Sequence, residues 1–208
     1  MTALPILSWH GLLLFTVGEL LFSLSPGPTV AMVTAYGFRS GWRAALLANG
    51  GVQLGNAIWY LLFAAGLGAL VTGWPDALRT LRYAGAAYLL WLGATALWHS
   101  RHPHAAAKRP ELRQGPFVQA LLTQIGNPKA MLFFGAFLPP FIDTGAPLLP
   151  QYAVLFVVTM LGEGLVLGGY GWLAARSGRL AAAHHDLWRE RLSGAMMLVL
   201  GIFFAWTT

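Results

Sequence analysis

The sequence of 208 residues contains no cysteine and little charge, since only 10% of its residues are Asp, Glu, Lys or Arg. The lack of cysteine excludes disulfide frameworks, thiolate metal sites and dithiol electron transfer. The scarcity of charge argues against a soluble domain, because 57% of the residues are hydrophobic and too little polar surface remains to keep such a domain dispersed. The composition therefore predicts a membrane protein.

Motifs for catalysis and nucleotide binding are also missing from the sequence. It has no Gly-x-Ser-x-Gly, no His-Glu-x-x-His and no phosphate-cradling glycine loop. We therefore expect neither an enzyme nor an ATP-driven pump, and no cofactor. The net charge of +6 comes mostly from short basic loops between apolar runs, so membrane orientation explains it better than nucleic-acid binding does.

Six apolar runs approach the roughly 20 residues that a helix needs to span a bilayer. The last run is near the lower length limit, so five spans are an alternative. Lys and Arg are concentrated in the first, third and fifth loops, whereas the second loop holds only Arg79 and Arg82. This bias predicts that both termini lie on the outer side. The runs cover about residues 10–37, 44–71, 82–98, 116–140, 149–175 and 191–207.

Proline interrupts the first and fourth runs at matching places, in Ser25-Pro26-Gly27-Pro28 and in Gly126-Asn127-Pro128-Lys129. Proline lacks an N–H, so each break should end one half-helix and begin another. Irregular backbone at membrane depth is tolerated only where protein or a polar cavity covers it. We predict an all-α membrane protein of two inverted three-helix repeats, residues 1–98 and 116–208, joined by a basic cytoplasmic loop at 99–115.

The half-helices that begin at Pro28 and Pro128 should each present N–H groups with partial positive charge. A solute carboxylate is expected to bind there, near Thr29 and Val30 or near Lys129 and Ala130. A plain proline kink is the structural alternative for a single break, and the matched pair makes it less favoured.

Three charged residues, Glu19, Lys129 and Glu163, lie deep inside the apolar runs. Each costs roughly 2.5–3.5 kcal/mol at the bilayer centre unless it is paired, protonated or wet. Lys129 is therefore predicted to be a counter-ion for Glu19 or Glu163, and its charge would let either carboxyl group take up and release a proton. A static buried pair that only fixes the packing is the alternative.

Two further features are predicted to face the same path. Glu163 and Tyr170 are seven residues apart and share one helical face. Asn49, Gln53 and Asn56 form a polar stripe, which either holds helices together or lines the path. The glycine pairs are assigned to packing. The residues predicted to contact the solute or its path are Pro26, Gly27, Pro28, Thr29, Gln53, Asn127, Pro128, Lys129, Glu163 and Tyr170, with Glu163 and Glu19 as the proton-coupling groups.

These motifs together resemble a known family. The first break, the segment Arg39-Ser40-Gly41-Trp42-Arg43-Ala44 and the segment Gly51-Val52-Gln53-Leu54-Gly55 resemble the first half of the LysE/RhtB amino-acid exporters. Asn127-Pro128-Lys129-Ala130 and Phe137-Leu138-Pro139-Pro140-Phe141 are similar to the signature of the second half. The resemblance implies a secondary exporter of amino acids or their derivatives in the bacterial inner membrane, driven by the proton gradient.

The resemblance implies the class of solute, a small zwitterionic or amine-bearing molecule, and not its identity. Pro140 stands where a glutamine is more usual, and Glu19 adds a carboxylate where such proteins are generally apolar. The alternatives are a membrane scaffold or helper subunit, and a divalent-cation exporter that uses His99, His102 and His104. The oligomeric state is left open, and a homo-oligomer is among the possibilities.

Overall fold

The computed structural model describes residues 7–73 and 115–176 without interruption, apart from the side chains of 67–73 and 136, together with isolated helical positions in 87–98 and 195–202. Within these residues all the regular structure is helical, which confirms the all-α class. The elements are α1 (Trp9–Leu24), α2 (Pro28–Gly73), α3 (Pro116–Ile125), α4 (Pro128–Leu132), a π-helical segment (Phe133–Phe137), a 3₁₀ turn (Pro139–Phe141) and α5 (Leu148–Arg176).

Both predicted helix breaks are present, and proline explains each of them. The residue before a proline is driven into extended backbone, and Ser25 has φ −69° and ψ 142° while Asn127 has φ −79° and ψ 113°. Helix α1 therefore ends before Pro26, and a new helix starts at Pro128. The axes of α1 and the first part of α2 differ by 56° across the first break.

The predicted connection between the first two runs is shorter than expected. The segment α2 consists of two helices that meet at a kink at Gly41, which has non-helical backbone angles of φ 80° and ψ −178°. This φ lies in the left-handed region, which only glycine adopts without strain. One glycine thus replaces the loop that the sequence predicted between residues 37 and 44.

The fourth run is also more divided than the sequence predicted. After α4 the backbone widens into the π-helical segment, in which Leu138 N–H donates to the Phe133 carbonyl at 2.9 Å. Pro139 and Pro140 come next, in the 3₁₀ turn. Single π turns occur frequently at functional sites, and this one places two adjacent phenylalanines, Phe133 and Phe134, against a polar cavity.

In the described part of the chain, α5 is long and apolar enough to cross a membrane, and α1 passes the same test together with residues 28–66 across the first break. Helix α5 matches the predicted run 149–175 to within one residue at each end. The runs 82–98 and 191–207 and the loop 99–115 fall mostly outside the described residues. The six-helix inverted repeat stays a prediction.

Among the described residues, the buried hydrophobic side chains form two clusters. One is dominated by aromatic rings, including Phe15 and Phe137, whose centroids are 5.6 Å apart. The other consists mainly of small aliphatic side chains. Helices α2 and α3 approach closely at Gly55, where an added Cβ would lie 2.8 Å from two side-chain carbons of Gln124. The predicted packing role of this glycine is confirmed.

Candidate functional site

A polar cavity lies where the two breaks meet helices α2 and α5. Its volume is about 20 Å³, and a water molecule needs roughly 10–15 Å³, so the cavity admits about one water. Five residues predicted from the sequence line it: Glu19, Thr29, Asn127, Lys129 and Glu163. The other lining residues are Phe22, Ser23, Val30, Asn56, Gln124, Ala130, Phe133, Phe134 and Thr159.

Two carboxylates enter this cavity from different helices. Glu19 of α1 is 2% exposed and accepts a hydrogen bond from Ser23 Oγ at 2.8 Å. Glu163 of α5 accepts a hydrogen bond from Asn56 Nδ2. Gly162 lets α5 approach the first carboxylate, since a Cβ there would lie 3.4 Å from Glu19 Cγ. The structure therefore brings together the two groups that the sequence marked for proton coupling.

The ammonium of Lys129 is hydrogen-bonded to backbone carbonyls, although the residue lines the same cavity as Glu19 and Glu163. Its Nζ donates to the carbonyl oxygens of Phe22 at 2.6 Å and Ser25 at 3.0 Å, and it lies 4.7 Å from the centroid of the Phe22 ring. These carbonyls belong to the C-terminal end of α1, which carries partial negative charge. Among the described residues, no ion pair joins Lys129 to Glu19 or Glu163. The lysine instead ties the second break to the first.

A second donor serves the same end of α1. Tyr170 of α5 donates its hydroxyl hydrogen to the Leu24 carbonyl at 2.9 Å. Gly27 leaves room for the lysine, because a Cβ there would lie 3.3 Å from Lys129 Cδ. Tyr170 and Gly27 thus belong to the first break, next to the cavity, and are not among the residues that line it.

Asn127 closes the N-terminus of the helix after the second break. Its Oδ1 accepts a hydrogen bond from the Lys129 backbone N–H at 3.0 Å. The sequence predicted that a solute carboxylate would bind near this donor, whereas Asn127 occupies the Lys129 N–H in the described structure. At the first break the residue before Pro28 is Gly27, which has no side chain to do the same.

Sequence reasoning missed Gln124 altogether and did not include Asn56 in the site. Gln124 Nε2 donates to Asn56 Oδ1 at 2.5 Å, and Asn127 Nδ2 donates to Gln124 Oε1 at 3.1 Å. Gln124 is 3% exposed and Asn56 is 1% exposed. The available signal was a glutamine three residues before Asn127, inside a mainly apolar run.

The other predicted site residues lie away from the cavity wall. Gln53 Nε2 donates to Asn49 Oδ1 at 3.3 Å, and Asn49 donates to the Gly164 carbonyl at 2.9 Å. The polar stripe is therefore divided: Asn49 and Gln53 join α2 to α5, whereas Asn56 faces the cavity. Pro26, Pro28 and Pro128 form the breaks but their side chains are exposed.

The predicted alternative of a histidine metal site falls on His99, His102 and His104, which lie outside the described residues. Within the described residues, no three His, Cys, Asp or Glu side chains are grouped so that they could hold a metal ion.

Residues 20–208 match the family model described as LysE type translocator. The chain belongs to the LysE family. The matched region contains both breaks and all the residues of the polar cavity except Glu19, which lies one residue before it. Membership of a translocator family favours transport over the scaffold or helper-subunit alternative.

Curated relatives of this LysE-family protein include membrane and efflux proteins. It is 34% identical over 199 residues, 94% of this chain and 97% of the relative, to an uncharacterized membrane protein of Vibrio cholerae. It is 35% identical over 159 residues, 75% of this chain and 76% of the relative, to a homoserine/homoserine lactone efflux protein of Salmonella typhi.

A leucine efflux protein of Enterobacter sp. strain 638 is 35% identical over 136 residues, 64% of each chain. No solved structure matches the chain. Relatives with efflux names thus differ in the solutes that those names give.

Proposed function

We propose that this LysE-family protein exports small amino acids or amino-acid derivatives across the bacterial inner membrane, and that the polar cavity between the two breaks binds the solute. One observation carries the proposal: residues of both helix breaks and two carboxylates line a single cavity. Broken helices in transporters supply backbone groups to a binding site at membrane depth. The efflux names of the relatives support amino acids as the solute class.

Glu19 and Glu163 are the proposed partners of the solute ammonium. They reach the cavity from α1 and α5, and Thr159 and Asn56 supply neutral polar groups beside them. Lys129 does not compete for this place, because its ammonium is held by the carbonyls of α1. A positively charged amine between two carboxylates would offset the cost of keeping those carboxylates away from water.

The solute carboxylate is proposed to bind at the N-terminus of α2, near the backbone N–H groups of Thr29 and Val30. The first N–H groups of a helix have no acceptor within that helix, and Gly27 offers none from a side chain. Both Thr29 and Val30 line the cavity. The equivalent position of α4 is already capped by Asn127, so the two breaks are proposed to serve different parts of the cycle rather than to bind the same carboxylate.

A cavity of about 20 Å³ is too small for an amino acid, so binding requires the walls to separate. We propose alternating access by two inverted three-helix repeats, residues 1–98 and 116–208, with both termini on the outer side. Uptake and release of a proton by the Glu163 carboxyl group, which lies next to Glu19, would drive export. Phe22, Phe133 and Phe134 form the apolar wall that would open on one side.

Export can be tested in a bacterial host that lacks its own amino-acid efflux systems. Cells with and without the protein are loaded with labelled homoserine, leucine, and their lactone, amide and ester derivatives, and efflux is measured by filtration. We expect faster efflux of at least one solute, and a loss of that efflux in Glu163→Gln at equal membrane abundance. Asp143→Asn is the matched control, because it also neutralises a carboxylate, lies outside the cavity and keeps an oxygen for the Gly145 N–H. Equal retention of every solute with and without the protein would overturn the proposal.

A further inference from the structure

The amides beside the cavity form a chain in which every donor points the same way. From the second break inward, the Lys129 N–H donates to Asn127, Asn127 donates to Gln124, and Gln124 donates to Asn56. Asn56 then donates to the carboxylate of Glu163. The chain joins three separate helices, α4, α3 and α2, to α5.

The two ends of this chain fix its direction. A backbone N–H can only donate, so Asn127 must turn its oxygen toward Lys129 and its NH₂ group toward Gln124. The same reasoning passes along the chain until Asn56 turns its NH₂ group toward Glu163. The chain is therefore satisfied throughout when Glu163 accepts, and a charged acceptor makes this last bond roughly twice as strong as a neutral one.

The centre of the chain is held firmly by its surroundings. Gln124 packs against Gly55, where any side chain would collide with it, and its backbone carbonyl accepts from Trp59 Nε1 at 3.2 Å. Asn56 is 1% exposed. Neither amide can reach a new hydrogen-bond partner unless α2 and α3 move apart. A change in hydrogen bonding at one end of the chain must therefore either pass to the other end or break one of the bonds between them.

We propose that Asn56, Gln124 and Asn127 form a directional hydrogen-bond relay that couples the state of Glu163 to the second helix break. This inference rests on the proposed export function. When Glu163 takes up a proton or binds the ammonium of the solute, its hydrogen bond from Asn56 weakens. The weakening passes along the relay to Asn127, which caps α4 and helps to keep α4 packed against α2. Among the residues that the structure describes, the charged or titratable groups around Glu163 are Glu19 on α1, Lys129 on α4 and Tyr60 on α2. Tyr60 is hydrogen-bonded to Thr159 on α5.

The sharpest perturbation is Asn127→Asp, which reverses the relay. Aspartate still caps the Lys129 N–H, but it has no N–H to donate to Gln124. Gln124 must then turn its NH₂ group toward Asp and its oxygen toward Asn56, and Asn56 must present its oxygen to residue 163. Only a protonated glutamate or a glutamine can donate there. Glu163→Gln should therefore rescue Asn127→Asp.

The stability arm of the experiment measures thermal unfolding of the purified full chain in detergent. Asn127→Asp should lower the melting temperature by about 5 °C, and Glu163→Gln added to it should restore most of that loss. Glu19→Gln is the control for simple charge repulsion, since it also removes a carboxylate from the cavity and should not rescue. Asn127→Ser keeps the cap but cuts the relay, and Glu163→Gln should not rescue it either.

The transport arm uses proteoliposomes and the solute found by the efflux assay. Efflux driven by a proton gradient should fall about tenfold or more in Asn127→Asp and Asn127→Ser, whereas solute exchange at equal pH should fall less than about threefold. The relay would be overturned if Glu19→Gln rescued Asn127→Asp as well as Glu163→Gln does. It would also be overturned if the Asn127 variants lost proton-driven efflux and solute exchange to the same extent. A wild-type protein that moves no solute would instead contradict the proposed function, while the stability arm would still report on the relay.

Discussion

The bonds of Lys129 to the end of α1 predict a loss of stability when its ammonium is removed. Lys129→Met would lose two charge-assisted hydrogen bonds, to the carbonyls of Phe22 and Ser25, and a contact with the Phe22 ring. Such bonds contribute about 1.5–3 kcal/mol each. Against this, Met avoids the roughly 2.5–3.5 kcal/mol that a lysine costs at the bilayer centre, and the Phe22 carbonyl keeps Ser25 Oγ as a partner at 2.7 Å.

The balance is a net destabilisation of about 2 kcal/mol, which for a chain of this length corresponds to a fall of about 4–8 °C in the melting temperature. The measurement is thermal unfolding in detergent, monitored by tryptophan fluorescence. Tyr170→Phe is the matched comparison, because it removes one neutral bond to the neighbouring Leu24 carbonyl. Its effect should be about 1 kcal/mol or less. The two substitutions should also reduce efflux in the same order.

A Lys129→Met protein as stable as the wild type would refute this reasoning, since it would show that the ammonium contributes nothing to the end of α1. A double-mutant cycle provides a second check. Lys129 and Glu163 line the same cavity without a direct ion pair in the described structure, so the effects of Lys129→Met and Glu163→Gln on stability should couple by no more than about 1 kcal/mol. A larger coupling would restore the counter-ion pairing that the sequence predicted.

Two glycines give further predictions. Gly41→Ala should destabilise the protein by roughly 1–3 kcal/mol in the same unfolding assay, because φ is 80° there; Gly66→Ala, in open space on the same helix, should be neutral or slightly stabilising. Gly55→Ala should displace Gln124 and slow proton-driven efflux at least about fivefold in proteoliposomes, an effect of about 1 kcal/mol or more. Gly50→Ala, whose Cβ would make an ordinary 3.7 Å contact with Phe117, should retain normal efflux.

The sequence predicted those features that depend on local backbone chemistry. Proline removes a donor and constrains the residue before it, so the breaks at Pro26 and Pro128 could be located to within a residue or two. A long uninterrupted apolar run could likewise be read as one helix, and α5 agrees with that prediction. The membrane class and the LysE family could be inferred from composition and from motifs that are contiguous along the chain.

Features that depend on which groups meet in space were less predictable. A buried lysine and a buried glutamate suggested an ion pair, yet carbonyl oxygens at a helix end also attract an ammonium, and the first break supplied them. From the sequence, the Asn127 side chain could equally have bound a solute or capped the helix that follows it, and the structure shows the cap. Gln124 looked like an isolated amide, because its partners Asn56 and Asn127 become neighbours only when α2 packs on α3.

The two breaks match in sequence but are not equivalent in the structure. At the second break, Asn127 caps the helix that follows. The Lys129 side chain passes Gly27 and donates to a carbonyl at the C-terminal end of α1, at the first break. The first break has no side-chain cap at Gly27, and Thr29 and Val30 at the start of its second helix line the cavity. The carbonyl end of the first break accepts hydrogen bonds from Lys129 and Tyr170. Any movement that opens the second break must therefore withdraw Lys129 from α1. This linkage gives the two breaks a physical reason to move together, and Lys129→Met should uncouple them even where a solute still binds.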